Sequence, residues 1–136
     1  MQNDIKSKLS FINYQVKEVL LKQNDSFNSD GQPIEVKFDV EHETEISNNI
    51  MKINLIVTIF NNAEENNYPF YIKVKLEGKF GVEGDNIEMF EINGIALLYP
   101  YVRSIISTYT ANSNIPTLIL PPINIHEYYK KISKRK

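Results

Sequence analysis

The chain has 136 residues, of which 42% are hydrophobic and 24% are charged, and it contains no cysteine. These values fit one soluble domain with a single core, and they exclude disulfides, thiolate catalysis and cysteine-bound zinc or iron–sulfur centres. No segment approaches the roughly 18 apolar residues of a membrane span, and the N-terminus lacks the apolar stretch of a signal peptide. We therefore expect one cytoplasmic domain over residues 1–136.

The net charge of −2 combines an acidic body with a basic tail. Residues 130–136 (KKISKRK) hold five of the 15 basic residues, and the preceding 129 residues carry 10 basic and 17 acidic side chains. A short basic tail is most simply a solvated chain end. Weak attraction to nucleic acid or to acidic surfaces is the alternative interpretation.

Three segments have the alternating polarity of half-buried strands: IEVKFDV from Ile34, MKINLIVTIF from Met51 and FYIKVKLEGKF from Phe70. The polar, turn-rich loop NNAEENNYP separates the last two, which predicts an antiparallel hairpin. An earlier segment, FINYQVKEVLL, alternates more loosely through Ile12, Tyr14, Val16 and Leu20. We interpret it as a strand, although its spacing also permits a helix.

Residues 86–112 have helical periodicity. One apolar stripe contains Ile95, Leu98, Val102, Ile105, Ile106 and Tyr109. Pro100 lies inside this stripe, so the helix is expected either to bend near Pro100 or to begin there. The segment IPTLILPPINI is predicted to be extended because of its three prolines, and Asn124 is a candidate N-cap for a short helix, IHEYYKKISK. Strands followed by helices predict an α+β fold with helices on one face of an antiparallel sheet.

Few residues indicate catalysis. His42 and His126 have no partner at metal-ligand spacing, and we expect both on the surface; no metal or other cofactor is predicted. Four carboxylates cluster before the long helix, where they complement its dipole, although a general acid/base pair is an alternative: Glu83, Asp85, Glu88 and Glu91. Because no nucleophile motif and no glycine-rich phosphate loop occurs, we do not expect an enzyme.

Aromatic residues are abundant, with eight tyrosines and seven phenylalanines but no tryptophan. Tyrosine can bury its ring and keep its hydroxyl in water, so many of these residues could simply belong to the core. The alternative is an exposed apolar groove or an oligomer interface.

Four segments in order, PIEVKFDV, LEGKFGVEG, LLYPYVRSIIS and IPTLILPPINI, resemble the SecB family of export chaperones, over roughly residues 10–129. The resemblance implies a four-stranded antiparallel sheet with a long and a short helix packed on one face, assembled as a dimer of dimers. It also places Pro100 within the long helix.

The implied function is that of an ATP-independent holdase, which keeps unfolded preproteins or other non-native polypeptides soluble for export. Apolar grooves could bind such chains without demanding a sequence, through several weak contacts. Neither nucleic-acid binding nor membrane insertion is implied. The carried-over peptide-binding candidates are Val36, Phe38, Val40, Phe70, Tyr99, Tyr101, Leu118 and Leu120.

Members of the family dock the SecA motor on an acidic sheet surface, for which Glu18 is the candidate in this chain. Lys22 and Lys73 stand where carboxylates are expected, so the sequence predicts weakened attraction to SecA. Two alternatives therefore accompany the export function. One is a SecB-like chaperone for a non-export client, such as the antitoxin of a toxin–antitoxin system. The other is a non-chaperone oligomeric adaptor whose apolar stripe is consumed in assembly.

Overall fold

The computed structural model describes residues 7–31 and 33–135. Of the domain predicted over residues 1–136, residues 1–6, Gln32 and Lys136 of the basic tail therefore lie outside the described residues. Its elements are β1 (Lys8–Gln23), β2 (Phe38–Ser47), β3 (Ile50–Ile59), α1 (Ala63–Asn66), β4 (Phe70–Glu83), α2 (Ile87–Ala111) and α3 (Ile125–Arg135). The four strands form one antiparallel sheet in the order β1-β4-β3-β2. The predicted α+β class and the β3–β4 hairpin are confirmed.

The β2–β3 hairpin closes through Asn48 and Asn49, whose φ angles of 52° and 64° are those of the left-handed pair in a tight hairpin turn. Phe38 pairs with Ile59, the last residue of β3. The prediction of a strand beginning at Ile34 was therefore wrong, because residues 34–37 extend past the end of their partner strand.

Strand β1 is 16 residues long and contains two irregularities, between Phe11 and Asn13 and between Val16 and Glu18. Each inserts a residue into β1 relative to β4, so the side-chain alternation changes phase along the strand. This explains the loose alternation in the sequence. The register places Phe11, Tyr14 and Val16 on the inner face, towards α2, whereas Leu20 pairs with Lys73 on the outer face.

The core lies between the inner face of the sheet and α2. It contains the alternate residues of β3 and β4 together with the helix residues Phe90, Ile95, Leu98, Val102 and Ile106. The approach is close at Gly78, where an added Cβ would lie 2.7 Å from both Leu98 methyl groups. Most of the predicted helical stripe is buried, but Tyr109 is exposed.

Helix α2 is 25 residues long and continues through Pro100, so the alternative that the helix begins at Pro100 is excluded and Pro100 lies within the helix, as the resemblance implies. After α2 the chain runs without regular secondary structure to Asn124, so neither a helix nor a strand forms in the segment that was predicted to be extended. The Asn124 side-chain oxygen accepts a hydrogen bond from the Glu127 amide at 3.1 Å, which confirms the predicted N-cap of α3. No helix in the described part of the chain is long and apolar enough to cross a membrane.

Candidate functional site

Seven of the eight predicted peptide-binding residues belong to the hydrophobic core or pack against it. Phe70, Tyr99 and Leu120 are buried, with at most 4% of each residue exposed. The half-buried residues that pack against the core are Val36, Phe38, Val40 and Leu118. We call these four residues the β2 margin, although only Phe38 and Val40 lie on β2 itself. Of the seven residues, they are the ones that a bound polypeptide could reach in the single chain.

The segment that carries Leu118 and Leu120 is held on α2 by polar contacts to its backbone. Arg103 Nε donates to the Leu120 carbonyl at 2.8 Å, and the Tyr99 hydroxyl donates to the Pro121 carbonyl at 2.7 Å. The Leu118 amide donates to Thr110 Oγ1 at 2.9 Å. This part of the margin is therefore fixed on the helix although it has no regular secondary structure. Burial raises the pKa of Tyr99 to about 12, so its hydroxyl stays protonated as a donor.

Tyr101, the eighth predicted residue, does not belong to this set. Residues two positions apart on a helix point about 200° apart, so Tyr99 and Tyr101 face opposite sides of α2. Tyr99 is 4% exposed, whereas Tyr101 is 37% exposed. The structure therefore divides the predicted groove residues between two surfaces.

Tyr101 belongs to a second apolar surface, where α2 meets β1. Its ring stacks on Tyr14 with 4.2 Å between centroids and lies 6.4 Å from Phe11, whose ring lies 5.4 Å from Phe80. Large hydrophobic residues remain exposed here: Phe11, Tyr14, Val16 and Tyr101, which we call the aromatic patch. Sequence reasoning noted an aromatic surplus but missed this surface, because the bulges in β1 hide which of its residues share a face.

A buried polar cluster joins β2, α2 and α3. The expectation that His42 is a surface residue was wrong: its side chain is 8% exposed, and Nε2 lies 3.1 Å from Glu91 Oε2. Thr44 Oγ1 donates to the same carboxylate oxygen at 2.6 Å, and the Tyr129 hydroxyl donates to Oε1 at 2.6 Å. His42 Nδ1 lies 2.7 Å from the Tyr128 hydroxyl.

These donors hold Glu91 in its ionised form. Hydrogen bonding from His42 contributes most to lowering the pKa of Glu91 to about 2, and Thr44 and Tyr129 act in the same direction against the opposing effect of burial. Burial also raises the pKa values of Tyr128 and Tyr129, so both remain hydroxyl donors. The cluster fastens α3 to the rest of the fold.

The alternative of an acid/base pair among the four carboxylates is not supported by their placement, because Glu91 is half-buried among its hydrogen-bond donors whereas Glu83, Asp85 and Glu88 are exposed. Within the residues that the structure describes, no three side chains of histidine or carboxylate type are grouped as a metal site. The polar cluster stabilises the packing of α3 against β2 and α2.

Glu18, the predicted SecA contact, is on β1 and forms an ion pair with Lys73 on β4, with 3.0 Å between Oε1 and Nζ. The hydrogen bond from Lys73 to Glu18, followed by their charge attraction, raises the pKa of Lys73. Lys22 lies on the same outer face of β1, four residues after Glu18, and its Nζ is 3.9 Å from Glu64 Oε1. The surface around Glu18 is therefore neutralised by lysines.

Comparison with known sequences finds a match to the family "Preprotein translocase subunit SecB" over residues 4–136. An uncharacterized protein of Methanocaldococcus jannaschii, MJ0357, is 38% identical over 134 residues, which cover 92% of this chain and 84% of that protein. The protein-export protein SecB of Alcanivorax borkumensis is 34% identical over 85 residues, which cover 60% of this chain and 54% of that protein.

Comparison with solved structures supports the same fold. The SecB-like chaperone Rv1957 of Mycobacterium tuberculosis, in complex with a ChAD peptide from the HigA1 antitoxin Rv1956, has a TM-score of 0.66 at 11% identity and covers 85% of this chain and 88% of its own. A protein of unknown function from Streptococcus agalactiae has a TM-score of 0.53 at 12% identity, covering 85% and 98%. At these identities the likeness concerns the fold alone.

Proposed function

The chain belongs to the SecB family, and from this premise we propose that it is an ATP-independent holdase that binds non-native polypeptides on apolar surface grooves. Family membership supports a chaperone role, and proteins of this kind are not enzymes. The buried His42–Glu91 cluster is accordingly assigned to structure and not to catalysis. The cytoplasmic location expected from the sequence remains a prediction.

The observation that carries the proposal is the β2 margin. Phe38 and Val40 lie on the inner side of the edge strand β2, and Val36 lies two residues before that strand begins. Each is only half-buried although it packs against the core. Burying such side chains contributes about 25 cal/mol per Å² of apolar area, so an incoming apolar segment would be stabilised at several points along the strand. Several weak contacts of this kind do not require a defined client sequence.

The aromatic patch is assigned to self-association. Contiguous exposed apolar and aromatic side chains on a soluble chain mark an interaction surface, and β1, which carries most of the patch, is an edge strand of the sheet. A symmetric contact between two copies would cover Phe11, Tyr14 and Tyr101 in both. We therefore place client binding at the β2 margin and oligomerisation, expected as a dimer of dimers, at the aromatic patch.

Two classes of client are proposed, preproteins and a non-export client. Similarity to the export protein SecB favours preproteins, whereas the fold of Rv1957, which binds an antitoxin peptide, favours a non-export client. The Glu18–Lys73 ion pair argues against strong SecA docking, since the carboxylate that would attract a basic partner already has a cation 3.0 Å away. We propose the non-export client as the second candidate on this basis.

The proposal is tested by suppression of client aggregation. Purified full-length protein, in molar excess over a slow-folding denatured client, is expected to keep the client soluble without nucleotide. The matched control is a folded protein of similar size and charge. If aggregation proceeds as in the control and the protein does not bind a hydrophobic dye, the apolar surface is consumed in assembly and the adaptor alternative replaces the holdase.

A further inference from the structure

The outer face of the sheet, opposite α2, separates its charges by strand. The four outward positions of β2 from Asp39 to Glu45 are carboxylates: Asp39, Glu41, Glu43 and Glu45. On β4 three outward positions are lysines, Lys73, Lys75 and Lys79, and Lys52 of β3 pairs directly with Lys79. We call Lys52, Lys73, Lys75 and Lys79 the lysine strip, and the four carboxylates of β2 the acidic stripe.

Within the described residues, Lys73 is the one member of the lysine strip that forms an ion pair, with Glu18, and Glu41 of the acidic stripe also raises its pKa. Glu18 is bonded to Lys73 and is also the register partner of Lys75, so these two lysines share one carboxylate. Glu77, between Lys75 and Lys79, lies 3.9 Å from Lys17 and is offset by that charge. No carboxylate in the described part of the chain lies within 4.0 Å of the ammonium group of Lys75 or Lys79.

The pairing of Lys52 with Lys79 has no structural benefit. Like charges directly opposite on adjacent strands destabilise a sheet. Lys52 has Glu45 as its neighbour on the other side, but the other neighbour of Lys79 is Asn13, which is neutral. A carboxylate at position 79 would have favoured the fold. The positive charge at this position is therefore better explained by what the outer face binds.

We propose that the lysine strip is a docking site for an acidic, extended segment of a partner protein. Lys73 and Lys75 are two residues apart on one face of a strand, which spaces them by about 7 Å. Carboxylates at alternate positions of an extended segment have the same spacing. Leu20, Ile56 and Tyr71 lie on the same face beside the strip and offer apolar contacts to the segment. This inference goes beyond client binding and does not depend on the β2 margin.

The acidic stripe favours an acidic peptide over a nucleic acid as the ligand of the lysine strip. It runs along the sheet two strands from β4, about 10 Å away. Nucleic acid carries charge at high density along its whole length, about one charge per 1.7 Å of a duplex, and a duplex on this face would lie against both stripes and be repelled by one. A single extended peptide strand can follow β4 alone.

The test measures fluorescence anisotropy of a labelled peptide that alternates glutamate with threonine, titrated with the full-length protein at low salt. Threonine keeps the probe from binding apolar grooves. The peptide is expected to bind, and a matched lysine–threonine peptide is not. Lys75→Glu with Lys79→Glu should weaken binding by about tenfold or more, whereas the matched reversal Lys130→Glu with Lys131→Glu, at exposed positions of α3, should change it less than about twofold.

Equal losses in the two double variants, or no binding by the native chain, would overturn the assignment. A single-stranded oligonucleotide that binds more tightly than the acidic peptide, and loses affinity in the Lys75→Glu/Lys79→Glu variant, would replace it with a nucleic-acid site. Lys79→Glu alone separates binding from folding, because a carboxylate opposite Lys52 should maintain or raise the melting temperature while affinity falls. Suppression of client aggregation should be unchanged in all these variants, so failure of the holdase proposal is distinguishable.

Discussion

The ring of Tyr101 on α2 stacks on the ring of Tyr14 on β1, with their centroids 4.2 Å apart, while both residues remain more than one-third exposed. The stack therefore presents a preformed aromatic surface across a helix and an edge strand. Because its members already pack against one another, a second copy could cover them with little further ordering of side chains.

We predict that Val16→Ser combined with Tyr101→Ser lowers the mass of the assembly. Both residues lie on the aromatic patch, and their truncation removes apolar area from the proposed contact between copies. Light scattering after size-exclusion chromatography measures the mass. The matched control is Tyr109→Ser, an exposed aromatic residue on α2 outside the patch, which should leave the mass unchanged. An unchanged mass in the double variant would remove the patch from the interface.

We predict that Phe38→Ser combined with Val40→Ser weakens client binding several-fold without changing the assembly mass. The two side chains are half-buried on the inner side of β2, where client contact is proposed. The control on the same strand is Asp39→Ser with Glu41→Ser, which alters only the outer face. Titration of a labelled unfolded client measures affinity. If both pairs weaken binding equally, the β2 margin is not the client surface.

We predict that the His42–Glu91 cluster stabilises the fold in a pH-dependent way. A carboxyl whose pKa falls from its ordinary 4.5 to about 2 on folding stabilises the folded state fully above pH 4.5. This contribution is lost as the pH falls from 4.5 towards 2. Glu91→Gln should therefore lower the melting temperature strongly at pH 7 and little near pH 2.

Urea denaturation at several pH values provides the measurement for this cluster. Glu88→Gln, at an exposed position of the same helix turn, serves as its control and should have little effect at any pH. A Glu91→Gln penalty that stays the same down to pH 2 would mean that shape, and not ionisation, explains the role of the side chain.

We predict that Gly78→Ala destabilises the domain by about 1 to 3 kcal/mol. Both methyl groups of Leu98 lie 2.7 Å from the position of the new Cβ, and Phe80 lies 2.9 Å from it, in a core with no exposed surface at these residues. Gly81→Ala is the matched control, because its nearest neighbour would lie at 3.8 Å. Thermal unfolding compares them; equal melting temperatures would show that α2 can shift to accommodate the methyl group.

Period-two alternation was sufficient to predict β3, β4 and their pairing, because one face of each strand is fully apolar. The same rule failed at β1, where two inserted residues change the phase between Phe11 and Glu18. The polar cluster was missed for a different reason: His42 and Glu91 are 49 positions apart, and only the fold brings them together.

A usable signal for this cluster was nevertheless present. His42 continues the inner-face alternation of Phe38 and Val40, and Glu91 lies one turn before Ile95 on the buried stripe of α2. A polar residue in phase with an apolar face is expected to be buried and to require a partner. Helix periodicity could likewise have shown that Tyr99 and Tyr101, two positions apart, face opposite sides of α2, but the candidate groove residues were carried over from a resemblance without that test.

Aggregation of a denatured client, followed by light scattering with and without the full-length protein, tests the holdase function most directly. We predict that the native protein in molar excess keeps the client in a soluble complex without nucleotide, and that Phe38→Ser with Val40→Ser impairs this while Asp39→Ser with Glu41→Ser does not. Client aggregation at the same rate with and without the native protein would contradict the holdase function.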